Sequence, residues 1–143
     1  MSSNIGSRYV VFKLKEEYYG IPIEKVISIE KIGRITRVPN APDYINGVIN
    51  LRGEVIPIVN LRRKLGIDEN GINKNSRIIV VNDDDMVVGL IVDFSSEVLE
   101  IDGESIDKPP KMEDNQLLDY ISGIGKVPDR LVILLDLGKL LLN

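Results

Sequence analysis

Asp83-Asp84-Asp85 sets three carboxylates in a row, the kind of charge a hard cation attracts. A calcium loop spaces its ligands and closes on a glutamate at its twelfth position, and neither feature is here. The triplet lies between two apolar runs and reads better as a solvated hairpin tip. Gly123-Ile124-Gly125-Lys126 shares a few letters with a phosphate loop. That motif needs a four-residue gap before Gly-Lys-Ser/Thr and a helix after it, whereas Val127-Pro128 and strand residues follow. The other Asp and Glu residues form no pair that spacing marks as acid and base. Cysteine and histidine are absent, which removes disulfides, thiolate metal sites, cysteine nucleophiles and the Ser-His-Asp triad. No catalytic residue, metal or cofactor is expected. Arg52, in Asn50-Leu51-Arg52-Gly53-Glu54, stands apart because it sits at a turn between two strongly apolar runs. A turn arginine is usually only solvated, yet a rigid hairpin can present a guanidinium to a partner, where arginine is enriched. Composition leaves those two readings even.

The elements that position these residues follow from the apolar content. Ile and Val make up about a quarter of the 143 residues, and alanine appears once, at Ala41. Branching at Cβ favours a pleated sheet over a helix. A chain of this length buries a core without staples. The net charge of -4, with five Tyr and two Phe, is poorly suited to a basic, aromatic nucleic-acid groove. No stretch approaches the roughly 18 uninterrupted apolar residues of a membrane span, and Met1 to Ser7 lacks a signal-peptide pattern. The expected setting is cytoplasmic, with no direct membrane insertion.

Two blocks repeat in the same order. Ser7-Arg8-Tyr9-Val10-Val11-Phe12 aligns with Ser76-Arg77-Ile78-Ile79-Val80-Val81, and Gly20-Ile21 then falls on Gly89-Leu90 without a gap. Downstream, Tyr44-Ile45-Asn46-Gly47-Val48 aligns with Tyr120-Ile121-Ser122-Gly123-Ile124, and Val55 to Leu61 with Leu131 to Leu137. A duplicated unit is therefore expected, with strands near 8–14, 18–23, 25–32, 45–51 and 54–59, then 76–82, 86–92, 97–101, 120–126 and 130–135. Arg52-Gly53 and Pro128-Asp129 are the predicted turns. Asn60 and Asp136 are predicted to cap short helices at Leu61 to Leu65 and Leu137 to Leu142, with Gly66 ending the first. The fold class expected is mainly β: two small barrels, residues 1–74 and 75–143. Whether the first strands are exchanged between them stays open.

The run Ile45-Asn46-Gly47-Val48-Ile49-Asn50-Leu51-Arg52-Gly53-Glu54-Val55-Ile56-Pro57-Ile58-Val59-Asn60-Leu61 closely resembles the signature of the CheW family of bacterial chemotaxis coupling proteins. Tyr19-Gly20-Ile21 through Val26, Gly89 to Asp93, and Tyr120-Ile121-Ser122-Gly123 with Leu131 to Leu142 extend the likeness over nearly the whole chain. The resemblance implies two five-stranded SH3-like barrels packed around a shared core. It implies a non-enzymatic scaffold that couples transmembrane chemoreceptors to the histidine kinase CheA. The partners it implies are the kinase's regulatory domain and the cytoplasmic tip of the receptor, in receptor arrays at the membrane. A kinase of this lineage needs a phosphoacceptor histidine and an ATP-binding domain, and a related fusion carries a receiver domain, so a stand-alone adaptor is expected. The alternative is a small nucleic-acid-binding barrel or a small enzyme, which a salt-dependent gel shift or turnover would reveal.

By the same resemblance Val26, Gly47 and Arg52 match receptor-binding positions, and Val48 and Val98 supply further apolar wall. Other members carry an acidic residue two places after the valine; here Ser28 stands there, and Glu30 lies two further along on the same strand face. Kinase contacts map to Gly53, Ile78, Ile79 and Gly89, with Met112 as a second, lateral contact. Strand alternation predicts one of Ile78 and Ile79 facing the core and the other outward.

Overall fold

Strands form where the β-branched runs lie. In the computed structural model, which describes residues 7–68, 71–110 and 119–142, they are β1 (Ser7–Leu14), β2 (Glu17–Pro22), β3 (Val26–Lys31), β4 (Ile45–Leu51), β5 (Glu54–Asn60), β6 (Arg77–Asp83), β7 (Met86–Val92), β8 (Phe94–Ile101), β9 (Ile106–Asp107), β10 (Ile121–Val127) and β11 (Arg130–Leu135). Helices α1 (Leu61–Lys64) and α2 (Leu137–Leu142) follow β5 and β11. The predicted caps are in place. Asn60 Oδ1 accepts from the Arg63 N–H at 3.2 Å and Asp136 Oδ1 from the Lys139 N–H at 3.1 Å. Gly66, at φ +75°, ends α1, with the Ile67 N–H donating to the Arg62 carbonyl at 2.7 Å.

The chain divides into two compact units, and they are not the contiguous halves 1–74 and 75–143. One unit joins Met1–Glu24 to Ser96–Asn143; the other is Lys25–Ser95. The first hairpin of each half pairs with strands of the other half. In the first unit β2 runs parallel to β11, with Val132 opposite Tyr18 and Leu134 opposite Gly20. In the second β7 runs parallel to β5, with Ile58 opposite Gly89 and Asn60 opposite Ile91. Parallel neighbours need a long crossover; α1 and β6 lie between β5 and β7 in the chain, and β3 to β10 between β2 and β11.

The second unit is a five-stranded sheet in the order β3-β6-β7-β5-β4. Ile56, Ile58, Ile78, Val80 and Ile91 form its buried cluster, with Ile32, Ile35, Ile49, Leu51 and Val87 packed against it. Each such side chain contributes about 1.5–3 kcal/mol by leaving water. The first unit has six strands in the order β8-β1-β2-β11-β10-β9, around Val11, Ile101, Val132 and Leu134. The sixth strand is β9, whose Asp107 pairs with Ile124. Its counterpart in the second unit is a single bridge, Thr36 to Val48. The repeated glycines explain each other at these crossings. A Cβ on Gly47, whose φ is +145°, would collide with the Thr36 carbonyl; one on Gly123 would come within 2.6 Å of Ile106.

Candidate functional site

The turn between β4 and β5 is set by the pairing of Leu51 with Glu54, which leaves Arg52 and Gly53 as a two-residue loop. Both are left-handed, at φ +52° and +89°, as the twist of a tight hairpin requires. The Asn50 side chain accepts from the Gly53 N–H at 2.9 Å and holds the loop. Asn, Asp or Gly is the ordinary choice at the first of these positions, because a Cβ there is strained. The turn instead holds an arginine, whose side chain is 72% exposed. Among the described residues its one ion pair is to Glu30 on β3, at 3.5 Å.

The equivalent hairpin of the other unit uses its arginine differently. Arg130 pairs with Glu97 and stacks 4.4 Å over the Tyr18 ring, leaving its side chain 18% exposed. One arginine is used within its own unit; Arg52 is presented outward.

Strand β3 lies at the edge of its sheet, and its burial alternates along the chain. Val26, Ser28 and Glu30 are half-buried, and Ile27, Ile29 and Lys31 are exposed. Glu30 shares the face of Ser28, the two lying opposite Ile78 and Val80, and closes on Arg52; a bulge between Val26 and Ser28 shifts Val26 out of that register. The Ser28 hydroxyl is buried and has no hydrogen-bond partner among the described residues. Val48 is half-buried on β4 and Gly47 buried, on the strand that carries Arg52. Val98 is 51% exposed on β8 and belongs to the other unit.

The residues proposed for the kinase fare differently. Ile78 and Ile79 do not split between core and solvent: both are buried, at 1% and 0% exposure. The run Ile78-Ile79-Val80-Val81 is apolar on both faces, and a continuous run of this kind marks a strand covered on both sides. Gly89 is buried as well, and a Cβ there would lie 2.6 Å from Ile58 and 2.7 Å from Ile78, so it is a packing glycine. Gly53 is at the surface, on the Arg52 turn. Met112 lies outside the described residues. Sequence reasoning missed Ile27 and Ile29, 53% and 44% exposed. Strand β3 pairs with β6, Ile29 opposite Ile79 and Glu30 opposite Ile78, so these two isoleucines flank the predicted positions from the edge. The signal was there: the alternation Val26-Ile27-Ser28-Ile29 puts apolar residues on both faces of one strand.

The other candidate motifs resolve into structure. Asp84 and Asp85 form a left-handed turn between β6 and β7, and Asp83 pairs with Lys25 at 2.8 Å. No group of three or more metal-ligating side chains occurs among the described residues. Gly123 to Lys126 is strand, part of β10. Among the described residues no helix is long and apolar enough to cross a membrane.

Comparison with known proteins matches residues 8–143 to the family model described as the CheW-like domain. The chain is 39% identical over 137 residues to the chemotaxis protein CheW of Klebsiella aerogenes, covering 96% of this chain and 82% of that one. It is 36% identical over 136 residues to that of Bacillus subtilis, with 95% and 87% covered. Among solved structures it resembles the scaffolding protein TtCheW from Thermoanaerobacter tengcongensis, with a TM-score of 0.85 at 40% identity over 93% of this chain and 86% of that one.

Proposed function

The chain belongs to the CheW-like family and is a chemotaxis scaffold, and from that premise we propose that it couples chemoreceptors to the CheA histidine kinase by binding both. The observation that carries this reading is the two-faced edge strand β3. Its Glu30 face joins the exposed Arg52 hairpin, and its opposite face presents Ile27 and Ile29 to solvent. A helical receptor tip meets Arg52, with Val26, Gly47 and Val48 alongside. The kinase regulatory domain meets the apolar edge of β3. Ile78, Ile79 and Gly89 serve that contact from within, by fixing the strand on which β3 lies, and Gly53 serves either partner as part of the turn. Exposed apolar side chains on a sheet edge are costly unless something covers them. By this reading the chain is recruited to receptor arrays at the membrane and needs no titrating group.

The test is calorimetric titration with receptor tip and with kinase regulatory domain, separately and then in sequence. Saturable binding of both, with the first partner leaving room for the second, is expected. Binding of one partner only, or mutual exclusion, would refute coupling by this chain.

A further inference from the structure

The segment from Gly33 to Asp43 touches its sheet through Thr36, which exchanges two backbone hydrogen bonds with Val48, at 2.9 and 2.8 Å. Beyond Thr36 it swings out through Pro39 and Asn40, left-handed at φ +64°, and returns where the Ile45 N–H donates to the Pro42 carbonyl at 2.9 Å. A cleft of about 700 Å³ opens between this strap and the start of β4. That volume is in the range that holds several residues of peptide or a small ligand. Two guanidinium groups line it from different elements, Arg37 from the strap and Arg63 from α1. Asp43 is the one carboxylate of the lining, 3.7 Å from Arg63 and itself exposed. Arg37 has no ion-pair partner among the described residues. Ile35, Val38 and Pro39 form the apolar part of the wall.

We propose that this cleft binds an extended acidic peptide of a partner protein, its carboxylate between Arg37 and Arg63 and an apolar neighbour against Ile35 and Val38. The charge argues for that occupant. The chain as a whole is acidic, with a net charge of -4, yet this cleft carries two cations against one anion. The two guanidinium groups come from separate elements, α1 and the strap, and each is a fork that can take carboxylate oxygens. An extended peptide that alternates apolar and charged side chains offers both kinds to a lining that combines Ile35, Val38 and Pro39 with two guanidinium groups. The cleft lies at the Ile45 end of β4, whereas Arg52 follows its other end. The inference goes beyond the coupling reading and does not rest on it.

The experiment is fluorescence anisotropy on the full chain with a fluorescein-labelled peptide of alternating Glu and Val. Saturable binding below about 1 mM is expected, weakening with added salt. The Arg37→Ala, Arg63→Ala double variant should bind about tenfold more weakly or worse, with a thermal melt as the control for folding. Arg37→Gln alone, at an exposed side chain with no ion pair among the described residues, should weaken binding severalfold and serves if the double variant melts early. A peptide with Lys in place of Glu should not bind. No binding at about 1 mM overturns the proposal. So does equal binding of the Lys peptide, or unchanged affinity in Arg37→Gln.

Discussion

Replacing Arg52 by Asn separates its two roles, as a turn residue and as a contact. Asn tolerates the left-handed conformation that Arg52 holds at φ +52°, so the substitution relieves backbone strain of about 1 kcal/mol. It also removes the pair with Glu30, which is 3.5 Å long and involves a side chain 72% exposed. A pair of that kind contributes about 0–1 kcal/mol. The two effects nearly cancel, so net stability should be unchanged or rise by up to about 1 kcal/mol. At about 0.3 kcal/mol per kelvin for a chain of this length, the melting temperature should move by about 0 to +3 °C. Affinity for the receptor tip should fall by about 1–3 kcal/mol, roughly 5- to 150-fold in Kd. Titration with the kinase regulatory domain should show much less change. Glu30→Gln, which frees the guanidinium but leaves it in place, should alter receptor affinity by no more than about 1 kcal/mol. An Arg52→Asn variant that binds the receptor tip as wild type does would refute the argument that strain is tolerated here for the sake of contact. A fall of several degrees in melting temperature would refute it too, by making Arg52 a structural residue.

Other outcomes follow from the same geometry. Ile29→Lys, on the open face of β3, should abolish kinase-domain binding in a calorimetric titration and melt like wild type, whereas Ile79→Lys buries an unpaired charge and should not fold. Arg62, buried at 8% exposure, donates to both oxygens of Asp93 and to the Asp68 carbonyl. Arg62→Met should therefore cost about 2–3 kcal/mol in chemical denaturation, and adding Asp93→Leu should recover part of it; a fully additive pair would show that the bond is not coupled. Burial, and then the charge of Glu17, raise the Tyr19 pKa above its ordinary 10.0. The unfolded chain thus releases this proton first, stability falls as pH rises past about 10, and Tyr19→Phe should flatten that fall in melts between about pH 9 and 11.

The strand positions were legible because β-branched runs, turn residues and the repeat all indicate the same local structure. Asn60 and Asp136 were legible for a similar reason, since a cap depends only on the next three residues. Burial on β6 was misjudged from a general rule. Alternation applies to a strand with one open face, and Ile78-Ile79-Val80-Val81 has none. The same rule applied to β3 would have found Ile27 and Ile29, because there the pattern does alternate and its outward residues are apolar. Arg52 was found by its neighbours in sequence, but its partner was fixed only by the fold: β3 and the hairpin tip are 22 residues apart along the chain.

The duplication shows why the unit boundaries could not be read in the same way. Each half contains every strand type a barrel needs, so local pattern is satisfied whether a half closes on itself or lends its first hairpin to the other. The choice is made by pairings distant in sequence, β2 with β11 and β5 with β7. It leaves marks in residue size. Gly20 pairs opposite Leu134 and a Cβ there would lie 3.1 Å from it; Gly89 pairs opposite Ile58 and a Cβ would lie 2.6 Å away. Both glycines occupy the same place in their repeats, and each admits a branched side chain from a parallel neighbour. Enlarging either one should therefore disturb the exchanged pairing itself. Gly89→Ala is the sharper case, because both of its nearest atoms are isoleucine methyl carbons fixed in a packed core. It should cost about 1–3 kcal/mol by overpacking, read as a lower denaturant midpoint at unchanged slope. An unchanged midpoint would mean that Ile58 and Ile78 can yield, and that the exchanged pairing does not depend on this glycine.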